Sequence, residues 1–367
     1  MQLVAGRWFR ENWNAEVTVA SVHSKHDRHL YQKFGFKSVR SSRRGFFPLL
    51  SQLTAAFILG RAPKIIQRRL TRSTSELGSI IRSDLVVDLS GDMLTESHGI
   101  KLAISHFGPL MTAHLLRVPY FICAQSIGPF RKLRRLAKFL LSNALKVTTR
   151  EPISTLWLNG FDVRADQHAD LAFLLTPTVP PKLDQDPTIG VNVSTLYADL
   201  YHSFTQRSIV DELAKALNRL CRPVILIPHV TGPNPSQDDR TILAELREKL
   251  TCPNQFVDDD LGPSEIKALI AATTVFIGAR FHSCIAALST QVPTIALSYS
   301  HKSLGIMSSV GLQNFVLDYQ GTSAQTIEQL VEEILSNPHL AIIDSQSLDD
   351  LRMLARENFT SLTALFS

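Results

Sequence analysis

Cysteine is scarce and scattered in this chain. Cys123, Cys221, Cys252 and Cys284 are the only four in 367 residues, and none belongs to a CxxC pair. A disulfide framework and a cysteine-rich zinc site are therefore not expected, and a reducing cytoplasm fits. Long apolar runs are missing as well. No stretch reaches the ~18 to 20 residues that a membrane-spanning helix needs. The start, MQLVAGRWFRENWNAE, lacks the apolar core of a secretory leader. Charged residues are only 19% and hydrophobic ones 44%, which excludes a disordered chain.

Familiar chemical signatures are also absent. There is no GxGxxG and no GxxxxGK[ST], so ordinary dinucleotide and P-loop sites are not supported. There is no GxSxG and no HExxH, which leaves serine-hydrolase and zincin chemistry without a motif. The run Asp258-Asp259-Asp260 reads as a solvated loop rather than a metal site.

What is present is an uneven charge. Residues 1–150 hold 24 Lys+Arg against 8 Asp+Glu, a net of +16, and the remainder carries a net of −11. A basic first half points either to an anionic partner (a phosphorylated substrate, an anionic membrane surface or nucleic acid) or simply to a solvated basic face. Nucleic acid ranks last, because no recognised motif or aromatic platform accompanies the charge.

Short apolar runs alternate with helical segments, the pattern of a parallel-sheet α/β protein. Strands are expected at 16–20, 84–89, 119–124 and 146–149, with a helix at 133–144. Pro152 opens a further helix and Gly160 closes it. The stretch 176–187 holds four prolines in twelve residues and reads as the connector between domains. A second series follows, with strands at 188–193, 224–227, 274–278 and 293–298. Its helices are expected at 208–220, 239–250, 264–272, 282–290, 326–336 and 348–366. The expected division is an N-terminal Rossmann-like domain over 1–177 and a C-terminal one over 187–340. A C-terminal helix in 341–367 is expected to pack back on the first. Two such domains bind ligand at strand C-terminal ends facing a cleft.

Several candidate residues lie at such ends. Arg280, Phe281 and His282 follow a strand at the start of a helix, whose free N–H groups and dipole favour an anion. A guanidinium adds a planar fork for phosphate or carboxylate, and an imidazole adds a proton donor. Arg280 could instead pair with a core carboxylate, and His282 could be a cap. Lys302, in Tyr299-Ser300-His301-Lys302, lies beyond the next strand and reaches the same side. In the first half, Ser90-Gly91-Asp92 follows a strand. Gly91 permits close backbone approach, and Asp92 is suited to orient or deprotonate a sugar hydroxyl; a capped turn is the alternative. Ser126, in Gln125-Ser126-Ile127-Gly128-Pro129, offers a hydroxyl and an amide. Arg150 is placed for an anion, or for a salt bridge with Glu151 or a neighbour.

In this order, these segments resemble the polysaccharide pyruvyl transferase family. The likeness runs through DLVVDLSGDMLTE, YFICAQSIGPF, VTTREPIS and ADLAFLL. It resumes at VILIPH, which ends on His229, and at Asp238-Asp239. It closes with ALIAATTVFIGARFHSCIAALSTQVPTIALSYSHK, so that it covers roughly 80–315. The resemblance implies a fold like that of GT-B glycosyltransferases. It implies transfer of pyruvate from phosphoenolpyruvate to two hydroxyls of a sugar, forming a cyclic ketal in exopolysaccharide or cell-envelope synthesis. Arg280 and His282 match the donor-binding R-x-H of the family, and Arg150 is the match for an arginine from the first domain. His282 and Asp92 are then the candidate acid and base. Arg280, Arg150, Lys302, Ser126, Gly91 and His229 are the candidate substrate contacts. Phosphoenolpyruvate is the donor substrate, and no further cofactor or metal is expected.

The pattern departs from the family in two places. Relatives usually begin with a strand and an N-x-G-D loop, whereas this chain starts near the helix that follows, at Met1-Gln2-Leu3. That points to a misassigned start or to a divergent or inactive relative. The usual paired glycines read Ser90-Gly91 here. A nucleotide-sugar glycosyltransferase of GT-B type, or an inactive saccharide-binding relative, is the alternative.

One further segment bears on location. FFPLLSQLTAAFILG, 46–60, is apolar and flanked by Arg43, Arg44, Arg61, Lys64, Arg68, Arg69 and Arg72. It is too short to span a bilayer. It reads either as peripheral contact of 43–72 with the inner face of a membrane, suiting a lipid-linked acceptor, or as a core helix with solvated basic ends. The core helix is the preferred expectation, because apolar runs of this length are more often buried.

Overall fold

The structure is a computed structural model that describes all residues except 73, 181–188, 233, 299–306, 309 and 365–367. The side chains of 25, 26, 44 and 237 also lie outside the description. Two compact units divide the chain: Met1–Leu174 together with Leu351–Ser367, and Leu175–Asp350. Both are α/β with parallel strands.

The first unit contains β1 (Thr18–Ser21) and β2 (Lys37–Arg40), which form a separate two-stranded parallel sheet. Its main sheet runs β3 (Val86–Asp88), β4 (Tyr120–Gln125), β5 (Lys146–Thr149) and β6 (Asp166–Gln167), adjacent in chain order. Every residue of β4 is buried, which is why YFICA reads as an unbroken apolar run rather than an alternating one. One sheet face packs on the Ile100–Leu115 and Arg134–Ser142 helices through Phe107, Leu110, Leu140 and Leu141. The other face meets the first helix, Gln2–Trp13, and the last, Ser345–Thr363, through Phe9, Phe121, Cys123 and Phe359. Trp8 stacks on Phe359 at 4.8 Å. Asn358, fully buried, accepts from Thr148 Oγ1 at 2.5 Å and donates to Ala169 O at 3.0 Å, tying the chain's last helix to β5. Glu151 caps the Pro152–Asn159 helix, which stops at Gly160.

The second unit has one six-stranded sheet. Its strands are β7 (Ile189–Asn192), β8 (Val224–Leu226), β9 (Asn254–Phe256), β10 (Val275–Gly278), β11 (Thr294–Ser298) and β12 (Val316–Asp318). Their order is β12-β11-β10-β7-β8-β9. Strand order therefore reverses between β7 and β10. In an open parallel sheet, that reversal opens a crevice at the strand C-terminal ends, where ligands bind. The core gathers Ile225, Ile227, Leu269, Phe276 and Ala287. Gly278 ends β10 where the Phe281–Leu288 helix passes close by. A Cβ there would sit 2.9 Å from Cys284 Sγ and 3.0 Å from Ser283 Oγ, so this packing requires glycine.

The four cysteines are free, and Asp258, Asp259 and Asp260 lie exposed in a loop. The apolar run forms a helix, Phe46–Leu59, but it is not the core helix expected of it. Only Leu49, Gln52 and Ala56 are buried, and the larger apolar side chains lie outside.

Candidate functional site

The second unit assembles its candidates at the strand-order reversal. Arg280 is the N-cap of the Phe281–Leu288 helix, immediately beyond β10. Its Nε and Nη2 donate to Asp239 Oδ1 at 3.1 and 2.7 Å. Asp239 is the first residue of the Asp239–Lys249 helix and has no exposed surface. Its Oδ2 accepts from His229 N at 3.2 Å, Val230 N at 3.0 Å and Asn192 Nδ2 at 3.2 Å. Asn192, the last residue of β7, also donates to Ile227 O and accepts from Arg280 N at 3.0 Å. One carboxylate and one amide thus lock the ends of β7, β8 and β10 together. The core-carboxylate pairing weighed for Arg280 is present, and it does not consume the guanidinium. Nη1 makes no hydrogen bond among the described residues, and the side chain stays partly exposed. Asp239 fixes the fork and leaves one edge of it open.

His282 follows two residues later, half-buried, with its ring 5.3 Å from that of Phe281. His229 lies beyond β8. Burial pushes its pKa down to about 3, and the charges of His282 and Arg280 push in the same direction. The imidazole is therefore neutral at ordinary pH, and it lies close enough to His282 and Arg280 to feel both. His229 Nδ1 is buried without a hydrogen-bond partner among the described residues. The same holds for Ser194 Oγ, just beyond β7, where the hydroxyl caps nothing although Ser194 is an N-cap residue. A buried polar atom left unpaired costs about 1–3 kcal/mol, so such atoms mark places where a ligand completes the set. Ser194 was not singled out from sequence; only its position at a strand end, before a helix, could have suggested it. Lys302, with Tyr299 and His301, lies outside the described residues.

The first unit gathers its own set at the ends of β3, β4 and β5. Arg150 donates through Nε to Ser126 Oγ at 2.9 Å and through Nη1 to Asp170 Oδ2 at 2.8 Å. Both members of this ion pair are buried. Of the salt bridges considered for Arg150, the one formed is with Asp170, while Glu151 serves the helix cap. Ser126 N donates to Gly91 O at 2.8 Å. Gly91 has a φ of +82°, which favours glycine, and a Cβ there would approach Arg150 Nη1 to 3.9 Å. Asp92 is more open and sits 3.6 Å from His98 Nε2. The structure thus brings Arg150, Ser126 and Gly91 together, with Asp92 beside them on the same loop. Asp170 was legible only as part of ADLAFLL.

Arg150 should matter for folding as well as for any ligand. Arg150→Ala leaves Asp170 buried and uncompensated, a cost of about 3–5 kcal/mol. Thermal melts should show that loss, and Arg150→Ala with Asp170→Ala together should lose less than the two single changes added.

The profile of the polysaccharide pyruvyl transferase family matches residues 7–301. The chain is 26% identical over 277 residues to the amylovoran biosynthesis protein AmsJ of Erwinia amylovora. That match covers 69% of this chain and 66% of AmsJ, just under two thirds of that protein's length. Among solved structures, the UDP-GlcNAc 2-epimerase of Neisseria meningitidis superposes with a TM-score of 0.61 at 10% identity, covering 99% of this chain and 96% of that one. The Methanocaldococcus jannaschii UDP-GlcNAc 2-epimerase gives 0.55 at 11%, covering 93% and 90%. The spinosyn forosaminyltransferase SpnP gives 0.55 at 15%, covering 100% and 96%. These similarities show a GT-B-type α/β fold with two Rossmann-like units. The match over 7–301 shows the family: this chain belongs to the polysaccharide pyruvyl transferases.

Proposed function

We propose that the chain transfers the pyruvyl group of phosphoenolpyruvate to two hydroxyls of a saccharide, forming a cyclic ketal during exopolysaccharide or cell-envelope synthesis. The observation that carries this reading is the Arg280 guanidinium. It is fixed by Asp239 at the start of a helix, with His282 and His229 beside it. Phosphoenolpyruvate bears a phosphate and a carboxylate, and an oriented fork at the positive end of a helix suits either. The unpartnered Ser194 Oγ and His229 Nδ1 supply further polar contacts.

The reaction needs one proton delivered and two hydroxyls deprotonated. His282 gives a proton to the vinyl carbon, so that positive character develops at C2. A sugar hydroxyl oxygen bonds to C2 as Asp92 accepts its proton. The C2–O bond to phosphate breaks, and phosphate leaves with the electron pair. The second hydroxyl oxygen closes the ketal, and its proton goes to the departed phosphate. Lys302, Arg150, Ser126 and Gly91 complete the proposed contacts, with a lipid-linked saccharide as acceptor. Phosphoenolpyruvate is the only small molecule this scheme consumes.

The test is to incubate the protein with phosphoenolpyruvate and lipid-linked oligosaccharide, following phosphate release and the ketal methyl resonance together. Both should rise in step, and Asp92→Asn should slow both about 100-fold or more, the usual scale for a lost general base. Full turnover by Asp92→Asn would remove Asp92 from the scheme.

A further inference from the structure

We propose that the face formed by residues 46–70 of the first unit docks on the surface of an anionic lipid bilayer. The proposal does not depend on pyruvyl transfer. It starts from which side of the Phe46–Leu59 helix is buried. Leu49, Gln52 and Ala56 face inward. Leu49 packs so closely on the Ile100–Leu115 helix that a Cβ on Gly108 would lie 2.2 Å from Leu49 Cδ1. Gln52 donates to Glu76 Oε2 at 3.1 Å and to Thr112 Oγ1 at 3.2 Å. Glu76 also accepts from Ser41 Oγ, Ser42 N and Ser42 Oγ. The helix is therefore held by a specific polar hub, and its outer face is presented in a fixed orientation.

That outer face is the more apolar one. Phe46, Phe47, Leu50, Phe57 and Ile58 recur at helical spacing and are all exposed, Phe47 by 80%. The next helix, Lys64–Leu70, also exposes Ile65, Ile66 and Leu70, the last by 70%. Eight large apolar side chains are thus exposed on two successive helices, five of them on one face of the first, and exposure of this kind marks an interaction site.

The charge around it selects the occupant. Between Asp27 and Glu76 there is no acidic residue, while eleven lysines and arginines fall in that interval. Arg61, Lys64, Arg68, Arg69 and Arg72, which follow the first helix in the chain, are all exposed. Arg61 lies over the Phe57 ring, 3.8 Å from its centroid, at the level where a headgroup would meet a buried aromatic. A second copy of this chain docked through the same face would set cations against cations. An anionic headgroup layer neutralises them and takes the apolar face into its acyl boundary, to a depth of about 5–10 Å. No helix among the described residues is long and apolar enough to cross a membrane, so the contact is one of lying on the surface.

The test is flotation of the full chain with vesicles, without substrate. The protein should float with phosphatidylcholine vesicles containing phosphatidylglycerol, stay down with phosphatidylcholine alone, and be released by salt. Phe47→Ser with Ile58→Ser should weaken partitioning about 100-fold or more, from the burial of two large apolar side chains. Arg68→Gln with Arg69→Gln should weaken it about 25-fold, at roughly five-fold per surface cation. These side chains are exposed, so melts of the variants should match wild type; the salt titration of wild type gives a reading that needs no variant. Three results would overturn the proposal. One is wild type that stays down with anionic vesicles at low salt. Another is variants that float as well as wild type. The last is a dimer in sedimentation that Phe47→Ser dissolves, which would assign the face to self-association.

Discussion

Arg280→Ala should weaken phosphoenolpyruvate binding by roughly 30-fold to several-thousand-fold, from the ~2–5 kcal/mol cost of truncating one member of a hydrogen-bonded charge pair. It should also lower stability. Asp239 has no exposed surface, and without Arg280 its carboxylate keeps only the Asn192 amide and the His229 and Val230 N–H groups. An uncompensated buried charge costs about 3–5 kcal/mol, so the melting temperature should fall as well. Arg280→Lys separates the two effects. It keeps a cation near Asp239 and loses the planar fork. Calorimetry should place its affinity between wild type and Arg280→Ala, with a smaller loss of stability. Wild-type affinity in Arg280→Lys would mean that the orientation imposed by Asp239 is irrelevant to binding.

His282→Gln should separate catalysis from binding. If the imidazole delivers the proton to the vinyl carbon, turnover falls about 10²–10⁴-fold, the range for a lost general acid. Phosphoenolpyruvate affinity then changes by only a few-fold, because Arg280 and the helix N-terminus remain. An equal loss in affinity and in turnover would make His282 a donor-binding group instead. His229 is the internal control. Its imidazole is held neutral by burial and by neighbouring positive charge. Its folded pKa lies below the ordinary value, so unfolded chain takes up a proton first as pH falls. It therefore lowers stability progressively from about pH 6.5 downward. It cannot supply a titrating acid near neutral pH.

The sheet cores were legible because buried parallel strands are short, dense apolar runs. The β5 expectation of 146–149 matches the strand residue for residue, and those for β10 and β11 are each one residue long at their N-terminal ends. The edges were not legible. β9 is only half-buried and reads Asn-Gln-Phe, and β2 alternates within a basic stretch. Their strand state comes from the neighbour they pair with, not from their own composition. Arg280 and His282 stood out through the strand–turn–helix pattern that positions them. The partner that fixes Arg280 lies 41 residues earlier, and the pairing exists only once β8 and β10 flank β7. Ser194 carries no signal beyond being a serine after a strand. The 46–60 run misled for a simple reason. Its buried face is made of Leu49, Gln52 and Ala56, whereas its phenylalanines face out. Composition records how apolar a helix is, and not which side of it meets the core.

The most direct test of the central claim is a calorimetric titration of the wild-type chain with phosphoenolpyruvate, set beside UDP and UDP-sugars. The account predicts saturable phosphoenolpyruvate binding that Arg280→Ala greatly weakens, and no comparable heat from the nucleotides. Tight binding of a UDP-sugar by a folded protein that ignores phosphoenolpyruvate would contradict it, and would make the Arg280 site part of a glycosyltransferase pocket.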